Sequence, residues 1–250
     1  MPDDLILETR DLAKEFRGFV AVNGLSLSVK KGAVHGLIGP NGAGKTTVFN
    51  LLTGFLPPTR GRILYRGEDV TGAAPSDLAR RGLVRSFQIS AVFPSLSVLE
   101  NVRVALQRSL GTSYFFWRSG SSLEVLHGRA RELLAEVDLE RFASTPAGEL
   151  PYGRKRALEV ATTLALEPDL LLLDEPTAGM GHEDVGRITS LIGRVAKGRT
   201  VLMVEHNLGI VANLCDRITV LARGSVLAEG SYAEVSADPA VREAYIGGTA

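Results

Sequence analysis

The stretch Gly39-Pro40-Asn41-Gly42-Ala43-Gly44-Lys45-Thr46 has the residue types and spacing that hold a polyphosphate. Its glycines let the backbone curl so that successive N–H groups point at one anion. A helix opening at Lys45 would add the positive end of its dipole. The Lys45 ammonium would reach the β- and γ-phosphates of a nucleotide, and the Thr46 hydroxyl can ligate Mg²⁺. Thr47, next in the chain, is counted with these nucleotide-binding candidates. Far downstream, Asp174-Glu175-Pro176-Thr177 follows the apolar run Leu170-Leu171-Leu172-Leu173. Such a run delivers two carboxylates to the C-terminal edge of a sheet, where ligands of open α/β folds sit. Asp174 is placed to hold Mg²⁺ through water, and Glu175 to polarise an attacking water. Alone, an Asp-Glu pair reads as a solvated turn; the phosphate loop in the same chain gives it a chemical reading.

These residues need a scaffold. Val34-His35-Gly36-Leu37-Ile38, Leu170 to Leu173 and Val201-Leu202-Met203-Val204 read as strands apolar enough to be covered on both faces, as in a parallel sheet. Short apolar runs alternating with helical stretches predict an α/β fold. Leu5 to Glu8, Ala21 to Val29 and Gly61 to Tyr65 read instead as half-buried strands, an antiparallel flap at the N-terminal side. From about 97 to 165 the pattern is helical. Ser97-Val98-Leu99-Glu100 has capping-box spacing, and Leu123 to Val137 is amphipathic. The least regular part, 108–122, carries the aromatic run Tyr114-Phe115-Phe116-Trp117, which reads either as a docking patch or as an anchor onto its own lobe.

Composition narrows the function classes. Basic and acidic residues balance at 28 each, which gives no basic footprint for nucleic acid. The single cysteine, Cys215, excludes an internal disulfide and fits a reducing compartment. The first residues lack the basic-then-apolar pattern of a secretory signal, and no apolar run reaches the length of a membrane span.

Together, the phosphate loop and the acidic strand end resemble the nucleotide-binding subunits of ABC transporters, over nearly the whole chain from Glu8 to about Glu234. The resemblance implies a P-loop NTPase core with a mainly parallel sheet, an N-terminal antiparallel β flap and an inserted helical subdomain. It implies an ATP-binding domain over 5–236, the insert at about 97–165 and a C-terminal helical tail over 237–250. Gln88, in Arg85-Ser86-Phe87-Gln88, looks like the glutamine that joins core to helical lobe and reaches Mg²⁺. His206 looks like the histidine that contacts the γ-phosphate, and Phe16 lies where the family stacks a ring on adenine; ordinary core is the other reading of Phe16. Lys45, Gln88, Glu175 and His206 are thus the expected catalytic set, and Thr46, Gln88 and Asp174 the expected metal set.

The signature segment departs from the family's Leu-Ser-Gly-Gly-Gln. Here it reads Leu150-Pro151-Tyr152-Gly153-Arg154, which keeps Gly153 as a nucleotide contact but replaces the serine by a proline without hydroxyl or N–H. Ala178-Gly179-Met180-Gly181 stands where many members carry Ser-Ala-Leu-Asp. These features look like the ATPase subunits of branched-chain amino acid importers, with urea-type importers as close relatives. The resemblance implies ATP and Mg²⁺ as cofactors. It implies two membrane-spanning permease subunits, a second ATPase subunit (the same chain or a different one) and a separate substrate-binding protein as partners, with no nucleic acid. It places the chain at the cytoplasmic face of a bacterial-type cell membrane. A non-transport ABC ATPase is the alternative from another class; it would call for a second cassette, a long coiled coil or a basic surface, and the sequence displays none.

Overall fold

The computed structural model describes residues 4–86, 92–107 and 121–246. The chain opens with β1 (Leu5–Phe16), β2 (Phe19–Leu25), β3 (Ser28–Lys30) and β4 (Val34–Ile38), followed by α1 (Lys45–Leu52). Next come β5 (Arg60–Tyr65), β6 (Glu68–Asp69), α2 (Pro75–Arg80) and β7 (Leu83–Ser86). Then follow α3 (Val98–Gln107), α4 (Ser121–Glu136), α5 (Tyr152–Leu164), β8 (Leu170–Asp174) and α6 (His182–Val195). The chain continues through β9 (Thr200–Val204), α7 (Leu208–Leu214), β10 (Arg217–Ala222), β11 (Ser225–Gly230), α8 (Tyr232–Ala237) and α9 (Pro239–Ile246).

Two compact units divide these elements. The first comprises Met1–Arg85, Asp169–Glu175 and Ala196–Ala250; the second comprises Ser86–Pro168 and Pro176–Val195. In the first unit a six-stranded sheet runs β11-β10-β4-β9-β8-β7. The ladders of β10 on β4, β4 on β9 and β9 on β8 are parallel, and the β10–β11 hairpin is antiparallel. Every residue of β4, β8 and β9 is buried, which is why the sequence reads there as strongly apolar runs, with His35 the polar exception inside β4. The expected flap is a second sheet, β2-β1-β5-β6 with β3 on β1, all antiparallel. Its first hairpin turns on Arg17 and Gly18, both at positive φ, so that Phe16 and Phe19 face each other across a two-residue turn. Leu12, Leu25 and Ile63 of the flap share one buried cluster with Phe49 of α1 and with Leu37, Leu172 and Leu202 of the large sheet. That shared cluster locks the flap to the strand that carries the phosphate loop.

The second unit is helical. Ser97 and Glu100 form the expected capping box: the Glu100 carboxylate accepts from the Ser97 N–H at 2.7 Å, and the Ser97 hydroxyl accepts from the Glu100 N–H at 3.2 Å. Leu126, Ala130, Leu133, Leu134 and Val137 form the buried stripe of α4 and its end, at the spacing of a helix face. The unit also takes in α6, so it extends beyond 97–165 on both sides. The strands β10 and β11 add to those expected from the sequence, although the Ile218-Thr219-Val220-Leu221 run of β10 carries a β-branched strand signal. The aromatic run from Tyr114 to Trp117 lies outside the described residues.

His35 is a polar residue sealed inside β4, 1% exposed, with Nε2 2.8 Å from the Thr219 hydroxyl of β10. Burial pushes its pKa down to about 4; Glu229 opposes the shift and Arg217 adds to it. The folded chain therefore binds this proton more weakly than the unfolded chain. The penalty is absent above the ordinary histidine range near 6.5, grows as pH falls and levels off near 4, about 3 kcal/mol in all. Urea unfolding of wild type and His35→Gln at pH 7 and pH 4.5 checks this: the wild type should lose more stability between the two pH values, and equal losses would show that His35 is not held neutral.

Candidate functional site

The phosphate loop follows β4 directly and is shaped by its neighbours. Gly44 is the N-cap of α1 at φ +101, and a Cβ there would come within 2.5 Å of the Ala21 carbonyl oxygen. A Cβ on Gly39 would run into the carbonyl of Leu221 on β10. The Gly224 N–H donates to the Ala43 carbonyl at 3.0 Å, so the β10–β11 turn braces the loop from behind. Lys45 is only 6% exposed, and Nζ donates to the carbonyls of Gly39 at 2.8 Å and Pro40 at 2.9 Å. Burial lowers its pKa from the ordinary lysine value, while Glu175 and Asp174 oppose that shift. The ammonium thus stays at the centre of the loop.

The acidic strand end meets the loop because β8 lies parallel to β9 with Asp174 beside Val204. Glu175 follows at φ +45, a left-handed backbone uncommon for a non-glycine, and its N–H donates to the Val204 carbonyl at 2.9 Å. Its Oε1 lies 2.6 Å from Nε2 of His206. His206 is held in turn. The Glu205 carboxylate accepts from the N–H groups of His206 at 2.8 Å and Asn207 at 3.1 Å, and the Asn207 side chain caps α7 through the Gly209 N–H at 2.9 Å. Asp174 is fully buried and carries the Arg85 guanidinium on Oδ2 at 2.5 Å.

A cleft of about 310 Å³ lies over the loop, lined by residues 41–47 with Phe19, Ala21, Glu175 and His206. The structure thus gathers Asn41, Gly42, Ala43, Gly44, Lys45, Thr46, Thr47, Glu175 and His206 at one place, with Gly39 and Pro40 gripping Lys45 beneath. Phe16 is not among the lining residues; Phe19, opposite it in the hairpin, is. Gln88 lies outside the described residues. Gly153 belongs to the second unit, in the first turn of α5, where a Cβ would come within 2.8 Å of the Asp184 carboxylate. The neighbouring signature residues have local tasks: the Tyr152 hydroxyl donates to the Ala178 carbonyl at 3.2 Å, and the Arg154 guanidinium stacks 4.0 Å from the Phe142 ring. The two departures from the family pattern, at 151–154 and at 178–181, therefore touch each other. Sequence reasoning missed Phe19, Asn207 and Arg85; the signals were an aromatic one turn past Phe16, an Asn before a helix, and an arginine in an apolar strand.

Curled glycine backbone, a buried ammonium and a helix N-terminus without a side-chain cap suit a nucleotide polyphosphate. The oxygens of Thr46 and Asp174 suit a hard cation shared with phosphate, and among the described residues no cluster of His, Cys, Asp or Glu forms an all-protein metal cage.

Sheet order, loop and acidic strand end define a P-loop nucleotide hydrolase. A family model described as ABC transporter matches residues 22–178, and one described as branched-chain amino acid ATP-binding cassette transporter matches residues 225–250. The chain is 40% identical to the high-affinity branched-chain amino acid transport ATP-binding protein BraF of Pseudomonas aeruginosa, over 97% of this chain and 98% of that one. It is 36% identical to a probable branched-chain amino acid transport ATP-binding protein LivG of Methanocaldococcus jannaschii, over 97% of each chain. Among solved structures, the ADP conformation of the cassette MJ1267 superposes with a TM-score of 0.84 at 33% identity, over 97% of this chain and 99% of that one. A dimeric cassette, MJ0796, superposes with a TM-score of 0.74 at 27% identity, over 90% and 98%. The chain belongs to the ATP-binding cassette family of ABC transporters, and its activity is that family's ATP hydrolysis.

The loop geometry separates two glycines. Gly42→Ala meets no atom within 4 Å and carries only the strain of φ +76, about 1–2 kcal/mol. Gly44→Ala adds a collision with backbone to a comparable strain. Thermal unfolding should rank Gly44→Ala clearly below Gly42→Ala in stability; equal midpoints would contradict the bracing of the loop by Ala21.

Proposed function

We propose that this chain is the ATPase subunit that powers an importer of branched-chain amino acids. Its support is the 40% identity to BraF over nearly the full length, together with the match of residues 225–250. The observation that carries the hydrolytic reading is the 2.6 Å contact of His206 with Glu175 at the lip of the phosphate cleft.

In this reading ATP is bound with its phosphates in the loop 39–46 and its base against the hairpin that carries Phe16 and Phe19. Lys45 neutralises charge on the β- and γ-phosphates. Glu175 orients the attacking water, and His206 holds the Glu175 carboxylate and lies within reach of the γ-phosphate. Thr46, Asp174 and Gln88 would hold Mg²⁺, which supplies positive charge to the transferring phosphoryl group when bound. Gly153 serves the nucleotide of a second ATPase subunit. The cassette is assigned to 5–236, with a helical insert about 97–165 and a tail at 237–250. The grouping of α6 with the helical unit supports adding 176–195 to the insert.

The chain works with two permease subunits, a second ATPase subunit and a substrate-binding protein, at the cytoplasmic face of the membrane. Among the described residues no helix is long and apolar enough to cross a membrane. The dimeric MJ0796 cassette supports pairing of two ATPase subunits. Pro151 argues that the second subunit is a different chain. A serine and its amide at that position would donate to the γ-phosphate across the interface, and proline offers neither. One charge-assisted bond is worth about 1.5–3 kcal/mol, or roughly one to two decades in rate. Tyr152 has its own role in anchoring Ala178, so Pro151 is the informative position.

The purified chain alone should hydrolyse ATP slowly, Pro151→Ser should raise that rate about tenfold or more, and the fast rate should appear in a complex reconstituted with its membrane and binding proteins, stimulated by leucine. Brisk hydrolysis by the chain alone, unimproved by Pro151→Ser, would contradict the asymmetric pair. A reconstituted complex indifferent to branched-chain amino acids would contradict the substrate.

A further inference from the structure

Arg85 is the third of the four residues of β7 and is 11% exposed at its side chain. Its Nη2 donates to Oδ2 of Asp174 at 2.5 Å, and its Nη1 donates to Oδ1 of Asn50 on α1 at 2.7 Å. Its guanidinium also lies 5.7 Å from the centre of the Phe49 ring. Three anchors therefore fix one permanent cation against a carboxylate that is 0% exposed. A buried carboxylate needs a counter-charge, and arginine supplies one that no ordinary pH removes.

We propose that Arg85 is a positioning residue that sets the divalent-metal affinity of the site, by acting as the resident counter-cation of Asp174. The proposal rests on the reading of Asp174 as a metal-holding group. Arg85 neutralises and orients the carboxylate in advance. It also opposes any second cation arriving there, because like charges a few ångströms apart in a partly buried site repel strongly. A metal held by Asp174 therefore has to share the carboxylate with the guanidinium or displace it, and this limits how tightly the site retains a cation between turnovers. Asn50 and Phe49 give the guanidinium a place to rest if it lets go of Asp174.

The test uses the full chain with ADP and Mn²⁺, free Mn²⁺ being read by electron paramagnetic resonance. Arg85→Gln should tighten Mn²⁺ binding at least about fivefold. It should also lower the thermal midpoint without metal, and Mn²⁺ with ADP should restore more of that midpoint than it adds to wild type. Arg85→Lys keeps the charge and should leave Mn²⁺ affinity near wild type. Weaker or unchanged binding in a folded Arg85→Gln chain overturns the proposal. The wild type gives an independent reading that no misfolding can confuse: in arginine-labelled protein, the Arg85 guanidinium resonances should shift when Mg²⁺ is added to the ADP complex. Resonances indifferent to Mg²⁺ overturn it as well. Asp174→Asn separates the layers. If it leaves Mn²⁺ affinity unchanged, the metal role of Asp174 falls and this inference with it. If it weakens Mn²⁺ while Arg85→Gln fails to tighten it, only the role of Arg85 falls.

Discussion

The parallel register of β8 on β9 is the constraint on which the site depends. It sets Asp174 against Val204, so the next residue of each strand end emerges at the same edge. Glu175 then accepts a left-handed backbone at a cost of about 1–3 kcal/mol, offset by its N–H bond to Val204 and its carboxylate contact with His206. A slip of one residue would turn Asp174 and Glu175 to opposite faces and separate the carboxylate from the imidazole. The same sheet carries β4 beside β9, and the phosphate loop leaves β4 at that edge. Two adjacent hydrogen-bonded ladders thus bring together groups more than 150 residues apart in the chain, such as Lys45 and His206.

Charge balance is the second requirement. Two carboxylates, Asp174 and Glu175, stand near one buried ammonium, Lys45, whose pKa is lowered by burial and supported by those two neighbours. Arg85 sits on one carboxylate and His206 on the other. Each acidic group therefore has its own cationic or hydrogen-bonding partner, and Lys45 is left to the loop, where its Nζ is aimed by two carbonyls. The arrangement is preorganised: the residues that would meet developing charge in phosphoryl transfer are held by backbone and neighbouring side chains.

Much of this was legible in the sequence, for physical reasons. The phosphate loop is a local motif whose glycines answer to local backbone geometry, so its spacing alone locates it. The strands β4, β8 and β9 are buried on both faces and read as strongly apolar runs, interrupted inside β4 only by His35 and Gly36. Ser97 and Glu100 announced a helix start because a capping box is complete within four residues. Other features depend on contacts distant in sequence and left only weak local signals. Arg85 reads as an ordinary charged residue until Asp174, 89 positions away, folds against it. Phe19 enters the cleft only because Arg17 and Gly18 turn the hairpin tightly. Tyr152 stands where the family's signature has a glycine, and its hydroxyl ties α5 to Ala178, so the two irregular segments form one local unit.

The central claim is that Glu175, set by β8 and held by His206, orients the attacking water. The most direct measurement is single-turnover hydrolysis by Glu175→Gln in the reconstituted transporter, with ATP affinity measured on the same preparation. Glutamine keeps the shape and removes the charge. The account expects ATP to bind as in wild type and hydrolysis to slow by about 10²–10⁴-fold. Hydrolysis within a few-fold of wild type, with ATP bound normally, would contradict it.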